Sequence, residues 1–109
     1  MKVYEEFHGN MVISKIDSQL RQLVKREKKS FKILTGYGST GGFSNSKSTA
    51  LKSLAKLLNE GLIKGYFPGE VKNNLLNLKS PYYDSKLKFE NQVKKDIDYG
   101  NRGIIFIFI

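Results

Sequence analysis

The segment SFKILTGYGSTGG, residues 30–42, decides the fold because a strand pattern runs directly into a glycine-rich loop. Ser30 to Leu34 is short and carries large apolar side chains, which is typical of a strand. Apolar residues on both sides of this segment recur at helical intervals. They predict one helix from about Val12 to Lys28 and a second from about Ser46, with Gly61 placed to cap its end. A strand between two such helices favours β-α-β crossovers and parallel strand pairing.

Three more strand patterns and one looser helical pattern complete the chain. The strand patterns occupy residues 2–7, 63–67 and 104–109, and the helical pattern occupies residues 84–98. In the first strand Val3 and Phe7 alternate with polar neighbours, so both are expected on the buried side. The last strand is an unbroken apolar run, which suits a position covered on both faces. The predicted order, β-α-β-α-β-(α)-β, indicates one α/β domain over residues 1–109, a two-layer α+β fold with a small four-stranded mixed sheet.

The chain has a strong positive charge that is spread along its length. Nineteen Lys and Arg oppose ten Asp and Glu, for a net charge of +9 and a pI near 9.8. Residues 1–30, 31–70 and 71–109 each carry three more basic than acidic residues (seven against four, five against two, seven against four). Neutralising phosphates releases condensed counterions, so this charge favours nucleic acid as a partner. The alternative explanations are solubility or binding to an anionic surface.

The composition excludes several classes of protein. Without cysteine, neither a disulfide framework nor a thiolate metal site can form. Hydrophobic residues make up 39% of the chain, which argues against disorder. The longest apolar run, Ile104 to Ile109, is too short to cross a bilayer, and the N-terminal segment has no signal-peptide stretch. We therefore expect a cytoplasmic protein that does not enter the membrane.

The ends of the first two strands are expected to form the functional site. Parallel neighbours end at one edge of a sheet, so His8-Gly9 and the loop from Thr35 to Gly38 should meet there. Helix N-termini at that edge offer backbone N–H groups suited to phosphate. On a strand Glu6 and His8 would share a face, and a carboxylate beside the only histidine could support acid–base catalysis. The alternative is that His8 only forms a hydrogen bond within the turn and that Glu6 is exposed to solvent.

The glycine-rich loop offers donors for a phosphate. Gly36, Gly38 and Gly41 match the spacing G-x-G-x-x-G, but no acidic residue ends the next strand for a ribose contact, which disfavours a dinucleotide site. Gly41 to Ser48 differs from a P-loop at one residue, since Ser46 stands where the second glycine is required. Nucleotide hydrolysis is disfavoured because no later strand ends in an aspartate that could bind magnesium. Tyr37 could stack on a base or pack over the loop. Further donors suited to phosphate are Ser39, Thr40 and Lys47.

Together these landmarks resemble the Smr domain, the small MutS-related module. Glu6-Phe7-His8-Gly9 resembles the family's D-x-H-G motif, and Thr35-Gly36-Tyr37-Gly38 resembles the start of its H-G-x-G-x-G loop. The leucine-rich helix and a last strand led by Gly103 follow in the family's order. Glu6 stands in place of aspartate, Thr35 stands in place of the loop histidine, and residues 71–98 look like an insertion. The resemblance implies a fold similar to the C-terminal domain of translation initiation factor three.

The resemblance also implies nucleic-acid binding, with cleavage or nicking of the phosphodiester backbone in several family members. Glu6 and His8 would then be catalytic, and phosphate would be bound by Gly9, Gly36, Tyr37, Gly38, Ser39, Thr40 and Lys47. A divalent metal is left open as a cofactor, because one histidine and one carboxylate make a poor complete ligand set. Two alternatives are a non-catalytic DNA- or RNA-binding module and a protein-interaction adaptor that docks a partner through residues 71–98.

Overall fold

One mixed sheet of four strands organises the molecule. The computed structural model describes residues 1–8, 12–36 and 45–109. Within these residues the strands are β1 (Lys2–Tyr4), β2 (Phe31–Leu34), β3 (Gly65–Pro68) and β4 (Ile104–Phe108), in the spatial order β1-β2-β4-β3. β1 pairs parallel to β2, whereas β4 pairs antiparallel to both β2 and β3. β1, β2 and β3 therefore run in one direction, and the small mixed sheet predicted from the sequence is confirmed.

Within the same ranges, three α-helices connect the strands in the predicted order. They are α1 (Ile13–Arg26), α2 (Asn45–Asn59) and α3 (Tyr83–Val93), and a short 3₁₀ helix spans Gly69–Asn73. Gly61 follows α2 with a φ of 77°, a left-handed conformation that suits glycine, and its N–H donates to the carbonyl of Leu58. The predicted helix cap is therefore confirmed. α3 ends at Val93, earlier than its pattern predicts, and the chain then turns, with the N–H of Asp96 donating to the carbonyl of Val93 at 2.9 Å.

α1 and α2 cover one face of the sheet because each has a continuous apolar side. That core includes Ile16, Leu20 and Leu23 of α1, Leu54 and Leu57 of α2, and Ile33, Ile105 and Ile107 of the sheet. On the outer side Arg21 donates two hydrogen bonds to Glu60, at 3.0 and 2.8 Å, and Ser53 donates one to Asp17. Apolar packing and polar contacts thus both join the two helices.

The segment from residue 69 to 99 covers the opposite face. Its core contains the rings of Phe67, Phe106 and Phe108 together with Val71, Val93 and Tyr99. Phe89 of α3 stacks on Phe108 with ring centroids 4.6 Å apart. β4 is therefore buried on both faces, as its unbroken apolar run predicts. The predicted two-layer arrangement is confirmed for the sheet and the α1/α2 pair, and residues 71–98 add a cover on the second face.

β1 is shorter than its sequence pattern and presents the opposite face to the core. It ends at Tyr4, and the chain then turns, with the N–H of His8 donating to the carbonyl of Glu5 at 3.0 Å. Tyr4 is 7% exposed, whereas Val3 is 38% exposed. The expectation that Val3 faces the core is wrong, because burying the larger tyrosine ring removes more apolar area from water. Phe7 is fully buried, as predicted.

Candidate functional site

The carboxyl ends of β1, β2 and β3 lie along one edge of the sheet, hereafter the carboxyl edge. β1 and β2 pair with Tyr4 opposite Ile33, so the chain leaves both strands at this edge. β4 runs the other way and begins here. α2 also begins here, since its first turn contacts the residues that follow β3. Among the described residues, those at the carboxyl edge include His8, Thr35, Gly36, Lys47, Glu70 and Arg102.

Glu6 and His8 lie in the turn after β1, and both side chains are exposed. The strand on which they are expected to share a face stops at Tyr4, so the alternation argument does not apply to them. The physical reason is that side chains alternate only along extended backbone, and a turn departs from it. An acid–base role for Glu6 and His8 stays a prediction.

Thr35 joins the end of β2 to the start of β4. It is fully buried, its N–H donates to the carbonyl of Gly103 at 2.6 Å, and its hydroxyl donates to the same carbonyl at 3.2 Å. A buried hydroxyl held in this way is satisfied within the fold, so Thr35 positions the backbone at the carboxyl edge. Gly36 is half-buried directly beyond it, where the described part of the loop ends.

Lys47 forms an ion pair with Glu70 across the carboxyl edge. The side chain of Lys47 is 16% exposed and that of Glu70 is 28% exposed. Arg102 lies beside the same carboxylate, with its Nε atom 3.7 Å from Oε2 of Glu70. Lys47 is a predicted phosphate contact, and in this arrangement any phosphate it met would compete with Glu70 for its charge.

Glu70 and Arg102 are the residues of this edge that sequence reasoning missed. Glu70 lies two residues after β3, and Arg102 lies two residues before β4. They meet because β4 inserts beside β3 in the opposite direction. The signal that could have found them is their position next to strand ends, once the direction of β4 is known.

The remaining predicted phosphate ligands lie outside the described residues: Gly9, Tyr37, Gly38, Ser39 and Thr40. Their roles stay predictions. Among the residues that are described, no group of three or more His, Asp, Glu or Cys side chains could hold a metal ion. Nor does any helix within the described ranges have the length and apolar character needed to cross a bilayer.

Neither the family models, nor the curated proteins, nor the solved structures gave a match. The resemblance to the Smr domain therefore depends on the motif residues after the first two strands and on the order of the elements. It stays a prediction, whereas the structure shows the α/β fold.

Proposed function

We propose that this chain is a nucleic-acid-binding domain that contacts backbone phosphates at the carboxyl edge of its sheet. The observation that carries the proposal is the parallel pairing of β1 and β2, because both lead to the edge where α2 begins. Open α/β sheets bind ligands at this edge, and a helix N-terminus favours anions there. The net charge of +9 supports a polyanion as the ligand.

Arg102 is the described cation that we expect to contact phosphate at this edge. Its side chain is 60% exposed, and its 3.7 Å separation from Glu70 is too long for a strong hydrogen bond. Exposed ion pairs of this kind contribute little, so the guanidinium can turn from the carboxylate to a phosphate at small cost. Glu70 should oppose binding, because its negative charge repels the phosphate.

Cleavage of the phosphodiester backbone is a second candidate function. The observation that favours it is that His8, the only histidine of the chain, is exposed in the turn that follows β1. An imidazole can exchange a proton with a reacting oxygen near neutral pH, as general acid–base catalysis requires. Without that activity the domain is a binding module.

Binding is tested by fluorescence anisotropy with labelled single-stranded and duplex DNA and RNA at several salt concentrations. Arg102→Gln should weaken binding roughly fivefold. It should also lower the salt dependence of the affinity by the amount expected for the loss of about one phosphate contact. Glu70→Gln should tighten binding, because the repulsion is removed. Lys79→Gln, which removes an exposed charge near α3, is the matched control. An equal effect of Arg102→Gln and Lys79→Gln would contradict a site at the carboxyl edge.

Cleavage is tested by incubating the same labelled substrates, with branched and nicked DNA added, in the presence and absence of Mg²⁺ or Mn²⁺. If His8 is the acid–base group, His8→Ala should slow cleavage on the order of 100-fold while the affinity for nucleic acid persists. A His8→Ala variant that cleaves at the wild-type rate would exclude His8 from the chemistry. A wild-type chain that cleaves none of the substrates would leave the binding function alone.

A further inference from the structure

A cleft of about 450 Å³ opens at the edge of the sheet opposite the carboxyl edge. β1 and β2 begin at this edge and α1 ends there. The cleft, hereafter the amino-edge cleft, is lined by Lys2, Arg26, Glu27, Lys28, Lys29 and Phe31. Its charged residues come from two separate parts of the chain, the start of β1 and the connection between α1 and β2.

Four cations and one carboxylate are among the residues that line the amino-edge cleft, which leaves three positive charges in excess. Glu27 lies 3.5 Å from the ammonium of Lys2 and 3.9 Å from Nε of Arg26. Both cationic side chains are 65% exposed, and exposed pairs at these separations are weak. Lys28 and Lys29 are exposed as well. The cleft therefore presents a concentrated positive charge to solvent.

The ring of Tyr4 orders two of these cations. The ammonium of Lys2 lies 4.9 Å from the ring centroid, and the guanidinium carbon of Arg26 lies 5.9 Å from it. Tyr4 is buried and packs edge to face against Phe31, with 5.5 Å between the ring centroids, so the ring is fixed. Cations held over a fixed ring lose less conformational freedom when a ligand arrives.

We propose that the amino-edge cleft is a second nucleic-acid contact surface that binds backbone phosphates through Arg26, Lys28 and Lys29. This inference rests on the proposed function, since it takes nucleic acid as the ligand, and adds a surface on the opposite edge. At the carboxyl edge Glu70 opposes Lys47 and Arg102, whereas the cleft has a larger excess of cations. A charged groove suits a phosphodiester strand better than it suits a flat anionic membrane.

The test compares two double variants that remove the same charge. Lys28→Gln/Lys29→Gln alters the cleft, and Lys79→Gln/Lys88→Gln alters exposed lysines near α3, which packs on β3 at the far side of the sheet from β1. Anisotropy with labelled duplex DNA should show the first variant weakened on the order of tenfold, with a log–log salt slope shallower by about 1.8. The second variant should bind within about twofold of wild type. Urea unfolding checks that both variants fold.

Three other outcomes would overturn the cleft as a nucleic-acid contact surface. Equal weakening by both double variants would indicate diffuse attraction and overturn the cleft as a surface. Wild-type affinity in Lys28→Gln/Lys29→Gln, combined with weak binding by Arg102→Gln, would overturn the cleft and leave the proposed function standing. A wild-type chain that binds phosphatidylserine vesicles but no DNA or RNA would overturn both and assign the cleft to a membrane surface.

Discussion

Lys32 lies on β2 with its side chain 6% exposed, on the face of the sheet covered by residues 69–99. Its ammonium donates to Asp96 at 2.7 Å and lies 2.8 Å from a carboxylate oxygen of Asp98. Burial lowers the pKa of Lys32, but the hydrogen bonds to Asp96 and Asp98 and the negative charges of these carboxylates together outweigh burial and raise the pKa above its ordinary 10.5. The lysine is therefore charged, and its ion pairs with Asp96 and Asp98 join the chain after α3 to the sheet.

Lys32→Met tests this contact, since it leaves two partly buried carboxylates without their cation. We expect a loss of about 3 kcal/mol in the free energy of unfolding, measured by urea denaturation. Lys64→Met, which removes an exposed lysine, should change stability by less than about 0.5 kcal/mol. Adding Asp96→Asn to Lys32→Met should recover part of the loss. Equal stability of Lys32→Met and wild type would show that the cluster contributes nothing.

At the scale of elements, α3 docks on β3 through Gly65. A methyl group built at Gly65 would lie 2.7 Å from a ring atom of Phe89 and 2.8 Å from Oγ of Ser85. That hydroxyl accepts a hydrogen bond from the N–H of Tyr66 at 3.2 Å, so it is not free to move away. Glycine at this position therefore sets how closely the helix approaches the sheet.

Gly65→Ala should displace α3 and lower the free energy of unfolding by about 1–3 kcal/mol, the usual cost of overpacking a core. Thermal and urea unfolding measure the loss. Phe89→Leu removes the ring edge that the methyl meets, so the double variant should lose less than the sum of the two single losses. Simple additivity would mean that the crowding predicted between Gly65 and Phe89 does not occur.

At the scale of the molecule, buried ionisable groups make stability depend on pH at both ends. Burial raises the pKa of Asp96, but the hydrogen bonds from Lys32 and from the backbone N–H of Asp98, together with the positive charge of Lys32, outweigh it, so the pKa lies below its ordinary 3.8. The Asp96 carboxylate therefore contributes to the free energy of unfolding above about pH 4, and this contribution is lost as the pH falls through the pKa of the folded state. Burial raises the pKa of Tyr66 from 10.0 to about 12, with a smaller contribution from Tyr82. Its stabilisation is complete below about pH 10 and is lost as the pH rises toward 12.

The free energy of unfolding, measured with urea across the pH range, should therefore be constant at intermediate pH and should decline below about pH 4 and above about pH 10. Tyr66→Phe removes the ionisable hydroxyl, so its alkaline decline should be shallower, by up to about 2–3 kcal/mol near pH 12. Asp96→Asn should likewise make the loss of free energy of unfolding below about pH 4 smaller, although this variant is less stable than wild type at neutral pH. Identical pH curves for wild type and Tyr66→Phe would exclude Tyr66 as the source of the alkaline loss.

Local patterns in the sequence determined which elements form and in what order. The apolar spacing of Leu20 and Leu23 in α1, the cap at Gly61 and the unbroken run of β4 each depend on neighbours within one or two turns of chain. The same reasoning predicted that the chain forms a basic α/β domain. It also predicted that the chain leaves the sheet after β1 and after β2. Periodicity failed at Val3, where three paired residues carry too little alternation to define a face.

Only the tertiary structure decided that β4 runs antiparallel between β2 and β3. That choice brings Arg102 to Glu70, beside the ion pair that Glu70 forms with Lys47. On the second face, the packing of residues 69–99 against the sheet brings Lys32 to Asp96. The physical reason is that such contacts join residues far apart in sequence, so their formation depends on how whole faces pack and on no pattern within a single segment.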